Sequence, residues 1–429
     1  MKPTGLFIIF AACLIPWVWL PSIGQGRDLI ALVSQYIGVI ALIVMAFAQL
    51  IATRLPGVET VFGPLDQSYR LHKWLGISAM VAILLHDTID ADMRGLGSET
   101  LLNEAAETAG EISLYGLLIL VVITIATFIP YHLWKWTHRL IGIFFVLGAA
   151  HYLFILKPFK NGDPLGLYMA VVCGIGVLAY LYTSAPRGLR PARRYTIKST
   201  EAEGSALAVE MAPQGGGFRH TAGQFAFFAF DGAGLPEPHP FTISNAPRSD
   251  DSLRVTIAPL GDLTNSYTRA LNSGQSVRVE GAFGHFGRSL KGQQIWIGAG
   301  VGITPFVALA EALSDGDGPV QLIYAVRTRG DAVHVKHLHD IAAGKKNLDL
   351  TIWESAERGR LDPVSIAEIS GHSLTDCRVL FCGPGDMRRA LAVGLQRHGV
   401  SQRRFQYEEF ELRTGLGVRA FLKWLGARI

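Results

Sequence analysis

The sequence predicts a membrane α-helical bundle of six transmembrane helices, followed by an antiparallel β-barrel domain and a doubly wound α/β domain. Three observations predict it. Apolar residues make up 49% of the chain against 17% charged ones, and the apolar excess lies in the first half. From about residue 192 short alternating segments are broken by Gly, Pro, Asn or Asp, the pattern of antiparallel strands. After Gly292 apolar strands alternate with helical stretches, the pattern of a parallel sheet. The domains expected are 1–188, 189–290 and 291–429.

Residues 6–20 form the first apolar run, with Trp17 and Trp19 towards its end. A cleaved signal peptide competes, but Lys2 alone gives it a basic start and no small-x-small cleavage site follows cleanly, so a span is favoured. Further spans are expected at about 29–53, 71–88, 112–130, 138–157 and 164–184. Arg54, Arg70, Lys73, Lys135, Arg139, Arg187, Arg190, Arg193 and Arg194 fall on one side of such a bundle. The opposite loop, 87–112, carries Asp87, Asp90, Asp92, Glu99, Glu104, Glu107 and Glu111 against Arg94 alone. The Lys/Arg bias puts both termini in the cytoplasm, in an integral membrane protein of the bacterial inner (plasma) membrane kind.

Two of the runs each carry two histidines: His72 and His86, then His138 and His151. At 1.5 Å of rise per residue each pair spans about 20 Å, against a hydrocarbon core of about 30 Å. Each helix then holds one imidazole near the inner face and one near the outer face. Side by side, the helices make an inner pair (His72, His138) and an outer pair (His86, His151), enough to ligate two haems. Isolated intramembrane histidines are often packing residues, but four in two matched pairs are costly to place there without a function. The two intervals differ: 14 residues is close to four turns, whereas 13 falls about 140° short of a common face. His138 and His151 therefore require local overwinding, a bend near Gly142 or Gly148, or differently rotated haems.

Composition excludes other classes. A net charge of +4, with no basic cluster interleaved with aromatics, gives no reason to expect nucleic acid. Cys13 and Cys173 lie in apolar spans, Cys377 and Cys382 in the polar half, and no spacing suits zinc, an iron–sulfur cluster or a disulfide framework. There is no internal repeat and no low-complexity tract.

In the soluble half the expected strands are RYTIKS, ALAVEM, QFAFFAF, LRVTIAP and QSVRVEG, then QQIWIGAG, VQLIYAV, LDLTIW and CRVLFCG. GAGVGITPF, residues 298–306, follows a strand and opens a helix. Gly298, Gly300 and Gly302 let the backbone approach a phosphate at the helix N-terminus, and Pro305 stands in the first turn. HPFTISNAP, residues 239–247, opens a strand of the β-domain. This string, with LHK at 71–73, the histidine intervals, GAFG at 281–284, GAGVGITPF and FCGP at 381–384, resembles the NADPH oxidase and ferric reductase superfamily. Those proteins are six-span dihaem proteins with a ferredoxin–NADP reductase-like module, and the resemblance covers nearly the whole chain.

The resemblance implies b-type haems on the four histidines and FAD held by His239, Pro240, Phe241, Thr242 and Ser244. The turn Gly281, Phe283, Gly284 would lie by the FAD phosphates. Gly300, Gly302 and Thr304 would face the diphosphate of NADPH, and Cys382, Gly383 and Pro384 would lie near the nicotinamide. Cys382 is equally readable as a small buried hydrophobe. Phe410 is implied as the aromatic against the flavin ring. Arg327 and Arg329 stand where the family binds the 2′-phosphate, with Arg358 and Arg360 placed to assist. NADPH is therefore favoured, with NADH the alternative. The chain departs from the family in its tail, where Phe421, Leu422, Trp424 and Leu425 lie among Arg419, Lys423 and Arg428. That tail reads equally as an amphipathic helix on membrane lipid or as ordinary packing.

The activity implied is electron transfer from cytoplasmic NADPH through FAD and the inner and outer haems to an acceptor on the far side. Superoxide formation from O2 ranks slightly above ferric-chelate reduction. Asp90 stands where oxygen-reducing relatives often have a second histidine, and Arg27 matches an arginine associated with the oxygen pocket. A membrane relay feeding a partner oxidoreductase is the reading from another class. The fused reductase module argues against it, and no obligatory protein partner is evident.

Overall fold

The structure, a computed structural model, describes residues 2–24, 28–55, 57–89, 96, 98–125, 131–186, 191–231, 238–260, 262–287 and 289–408. Arg27, Asp90, Phe410 and the basic tail lie outside the described residues. The chain divides near residue 190 into a helical unit and a reductase unit.

The helical unit contains α1 (Pro3–Leu14), α2 (Leu29–Ala52), α3 (Leu65–Thr88), α4 (Leu101–Ile125), α5 (Tyr131–Arg139), α6 (Ile141–Phe154) and α7 (Pro164–Ser184). Among the described residues, four helical stretches are long and apolar enough to cross a bilayer: Leu29–Ala52, Leu101–Thr124, Leu133–Phe154 and Pro164–Ser184. The third of these runs through α5 and α6. Helix α3, which bears His72 and His86, is as long as α2 but carries Asp66, Arg70 and Lys73 at one end and Asp87 at the other. The helix α1 is apolar but short. Around the hub α2, whose Ile43 and Ile51 are fully buried, pack α3 and α7, while α4 packs on α6. Phe7, Val18, Val122, Val171 and Leu178 stay exposed on the outer faces. Such a surface suits lipid, where the helix satisfies its own backbone polar groups.

Two boundaries differ from expectation for local reasons. The helix α4 starts at Leu101, three turns before the expected 112. Glu104, Glu107 and Glu111 propagate a helix well, Glu104 lies in the first turn at its positive end, and Thr100 holds that turn through Asn103. The run around His138 is broken at Leu140. There the amide of Leu140 bonds Thr137 O at 3.0 Å, and that of Ile143 bonds Leu140 O at 2.9 Å. These i→i−3 bonds tighten the chain beside Gly142 by about 20° per residue, a small part of the roughly 140° by which 13 residues fall short.

The reductase unit starts with a six-stranded sheet of β1 (Arg193–Glu203), β2 (Ala206–Pro213), β3 (Phe225–Phe230), β4 (His239–Thr242), β5 (Leu253–Ile257) and β6 (Ser276–Phe283). Its order is β4-β3-β6-β1-β2-β5, every pair antiparallel. One bridge, Ile243 to Val255, links the two ends of the sheet. Tyr195, Val209, Phe228, Phe230 and Val279 fill its interior.

The second sheet contains β7 (Gln294–Ala299), β8 (Val320–Val326), β9 (Leu348–Glu354), β10 (Arg378–Cys382) and β11 (Phe405–Tyr407), all parallel in the order β11-β10-β7-β8-β9. The connections include α8 (Thr304–Ala312), α9 (Val335–Ala343), α10 (Pro363–Ser370) and α11 (Gly385–Arg397). Strand order reverses between β7 and β10. In open α/β sheets that crevice, beyond the carboxyl ends of the strands, is where ligands bind.

Candidate functional site

The four histidines of the helical unit share one construction. His72 Nδ1 lies 2.9 Å from Ala48 O, and His86 Nδ1 lies 2.9 Å from Ser34 O, both carbonyls on α2. His151 Nδ1 lies 2.8 Å from Ala106 O on α4. His138 Nδ1 lies 3.2 Å from Thr124 Oγ1, also on α4. Since the Thr124 hydroxyl already donates to Leu120 O at 2.8 Å, it accepts from His138. A carbonyl accepts only, so Nδ1 carries the proton and Nε2 keeps its lone pair. Metal-binding imidazoles are oriented in this way, by a hydrogen bond from the ring nitrogen that faces away from the metal.

The rings of His72 and His138 lie 6.0 Å apart, centre to centre. An ion held at about 2 Å by two opposed imidazole nitrogens sets the ring centres about 6 Å apart. Among the described residues no group of three or more His, Cys, Asp or Glu side chains gathers for a metal ion. Two nitrogens per site suit an iron that brings its own in-plane ligands, so the donor set fits haem.

His86 and His151 face glycine. A Cβ on Gly38 would lie 3.2 Å from the His86 ring, and one on Gly110 only 2.6 Å from His151 Nδ1. Both histidines line a cavity of about 390 Å³, together with Gln35, Asp87, Glu107, Glu111, Tyr152 and Lys157. Lys157 Nζ donates to Tyr152 O at 2.9 Å and Leu153 O at 3.1 Å, at the end of α6. An ammonium there complements the negative end of the helix.

In the reductase unit, His239, Pro240, Phe241 and Thr242 form β4, paired to β3 from Phe228 back to Phe225. Phe225, Phe227 and Phe283 make an aromatic cluster, with centres 5.7 to 6.1 Å apart. Gly281 ends up where β6 crowds Ala226, and Gly284 beside Phe225 and Glu408. Ser244, like Ile243 and Asn245 on either side, belongs to the interior of the motif. It is fully buried, and its hydroxyl donates to Arg254 O at 3.1 Å, which commits it to the fold.

The loops after β7 and β10 meet at the strand-order reversal. A Cβ on Gly302 would lie 2.3 Å from Cys382 O, and one on Gly383 2.7 Å from Ala299 Cβ, so both must be glycine for the loops to close. Gly298 lies under Ile303 and Phe306. Gly300 turns with φ +55°, and Thr304 and Pro305 open α8 at its positive end. Pro384 leads into α11. Cys382 is buried, and burial together with the Glu408 carboxylate holds its thiol well above the usual range. Arg327 and Arg329 are exposed just past β8, the strand beside β7. Arg358 lies over the Trp353 ring. The acceptors on α2 and α4, Glu408 and Lys157 were missed in the sequence, because each gains its place only through tertiary packing.

Three family models match the chain: "Ferric reductase like transmembrane component" over residues 37–149, "FAD-binding domain" over 193–298, and "Oxidoreductase NAD-binding domain" over 296–392. Among curated relatives, the glycine betaine monooxygenase reductase subunit of Pseudomonas aeruginosa is 27% identical over 226 residues, 49% of this chain and 61% of the relative. The ferredoxin–NAD(P)(+) reductase component of the naphthalene 1,2-dioxygenase/salicylate 5-hydroxylase systems of Ralstonia sp. is 27% identical over 42% of this chain and 57% of its own. The chain thus spans about three-fifths of the length of these relatives. A crystal structure of flavohemoglobin from Malassezia yamatoensis aligns with TM-score 0.51 at 16% identity, over 93% of this chain and 98% of that one, a likeness of fold alone.

Proposed function

This chain has the domain architecture of the NADPH oxidase and ferric reductase-like proteins, and from that premise we propose that it carries electrons from NADPH through FAD and two bis-histidine haems to an acceptor across the membrane. Electron transfer from NAD(P)H by way of FAD follows from the domains; the haems, the route and the acceptor are this proposal. The observation that carries it is the common Nδ1 anchoring of four histidines, which leaves four Nε2 atoms as ligands.

His72 and His138 would hold the inner haem, His86 and His151 the outer one. FAD, when bound, takes a hydride and passes electrons on singly, and haem supplies one-electron steps. The protein's part is placement. β4 presents His239 to Thr242 to the flavin, the aromatic cluster shields it, and the loop and first turn 300–305 take the diphosphate of the reductant. Arg327 and Arg329 favour the 2′-phosphate, hence NADPH over NADH. Six spans complete the bundle in this reading. The helix α3 contributes the apolar stretch between its two histidines, and α1 with the turn after it contributes the first. The Lys/Arg bias supports cytoplasmic termini in a plasma membrane of the bacterial inner-membrane kind.

Held by His86 and His151, the outer haem would supply single electrons to O2, which would leave as superoxide. Ferric-chelate reduction is the alternative at the same site. The relay reading gains from the curated relatives, which are reductase components of oxygenase systems. An anaerobic visible spectrum with NADPH, followed by air, tests all three. Sharp low-spin haem bands that appear with NADPH and collapse in air support the oxidase. Bands that persist in air and vanish with a ferric chelate support the reductase. Bands that yield to neither support the relay, and flavin without haem bands refutes the four-histidine argument.

A further inference from the structure

Within the reductase unit, one carboxylate ties the flavin strand to the nucleotide helix. Glu311 lies at the end of α8, whose start is the loop 300–305. Its Oε2 accepts the amide of Ala246 at 2.7 Å, four residues beyond Thr242. Its Oε1 takes Arg254 Nη2 at 2.6 Å and pairs with His337 Nε2 at 2.7 Å. Arg254 belongs to β5, and its guanidinium also donates to Ser244 O, inside the flavin motif. The carboxylate is 16% exposed. It therefore grips the outgoing chain of the motif, the strand opposite it, and α9 through His337. From Glu311 back to Thr304, α8 forms a rigid strut of about 10 Å from that grip to the diphosphate loop.

We propose that Glu311 is a positioning residue for hydride delivery, fixing the nucleotide helix against the flavin strand so that the two reacting rings meet in register. The inference rests on the proposed NADPH-to-FAD step. In that step the hydride leaves the nicotinamide C4 with its electron pair, giving NADP+, and a new N–H bond forms at flavin N5. Such transfer needs the reacting atoms about 3–3.5 Å apart, and a misplacement of about 1 Å costs about 100-fold in rate. A surface ion pair placed only for stability would leave that distance alone.

The test is anaerobic stopped-flow reduction of FAD by NADPH in the full-length protein, comparing wild type, Glu311→Ala and Glu311→Asp. The expected result for Glu311→Ala is a fall of about 100-fold in the rate constant at saturating NADPH. The NADPH Kd and FAD content should change less than about threefold, and the isotope effect with 4-deuterated NADPH should rise. Glu311→Asp keeps the charge but is one methylene shorter, and it should recover part of the rate. If Glu311→Ala does not retain FAD, Glu311→Asp alone carries the test, with a loss of at least about tenfold expected. Wild-type rates in these variants, or losses wholly explained by weaker NADPH or FAD binding, overturn the inference. A wild-type flavin that NADPH does not reduce overturns the proposed function as well, so the two failures are told apart.

Discussion

Gly110→Ala is the sharpest perturbation of the proposed outer haem. The added Cβ would stand 2.6 Å from His151 Nδ1, and ordinary contact begins at 3.4 Å, so the ring must recede by about 0.8 Å. Metal sites hold their ligand distances to within about 0.2 Å. The ring is also tied to Ala106 O at 2.8 Å, one turn before Gly110, so the same movement strains its anchor. The outer haem should be lost, or its axial bond broken, while His72 and His138 remain untouched. Haem per flavin, measured by pyridine haemochrome against extracted FAD, should fall from two to about one. Gly38→Ala is the internal control. Its Cβ would meet the His86 ring at 3.2 Å, a displacement of about 0.2 Å, within what a ligand tolerates. It should keep both haems. Two haems per flavin and an unaltered spectrum in Gly110→Ala would refute the assignment of His151.

Other outcomes follow from the reductase unit. Arg327→Ala should weaken NADPH by about 10-fold or more and leave NADH nearly unchanged, since a charged hydrogen bond is worth about 1.5–3 kcal/mol; equal losses in a binding titration would sink the 2′-phosphate assignment. Burial alone would push the Glu311 carboxyl up, but His337, Arg254 and the Ala246 amide outweigh it and hold it down at about 2. A depressed carboxyl stabilises the fold fully above its ordinary value near 4.5 and loses that stabilisation as pH falls towards 2, about 3 kcal/mol in all. Acid melts of wild type and Glu311→Gln should therefore converge as pH drops, and parallel curves would contradict this. Cys382, held as a thiol by burial and Glu408, should resist iodoacetamide at neutral pH until the protein is unfolded, as read by peptide mass spectrometry.

The candidate iron ligands were legible in the sequence because histidines are costly inside a bilayer, and packing alone does not repeat them at matched intervals on two helices. What fixes them was not legible. Ser34, Ala48, Ala106 and Thr124 carry no signal of their own, since three of them act through a backbone carbonyl available at any residue. The strand pattern of both sheets was readable from alternation and from Gly and Pro punctuation, and the turn between β7 and α8 from its glycines. The short β11 was not among the expected strands, since its three residues gain their place only by pairing with β10. Glu311 carries no signal in the sequence, for its partners Ala246, Arg254 and His337 come from three separate parts of the fold.

Ser34 and Ala48 are 14 residues apart on α2, and the histidines they anchor are 14 apart on α3. The two helices thus carry matching graduations, one written in carbonyls and the other in imidazoles. A residue inserted between Ser34 and Ala48 would swing one carbonyl by about 100° and shift it by about 1.5 Å, and no side-chain change could restore the match. Within those two intervals the chain can change its letters but not its length.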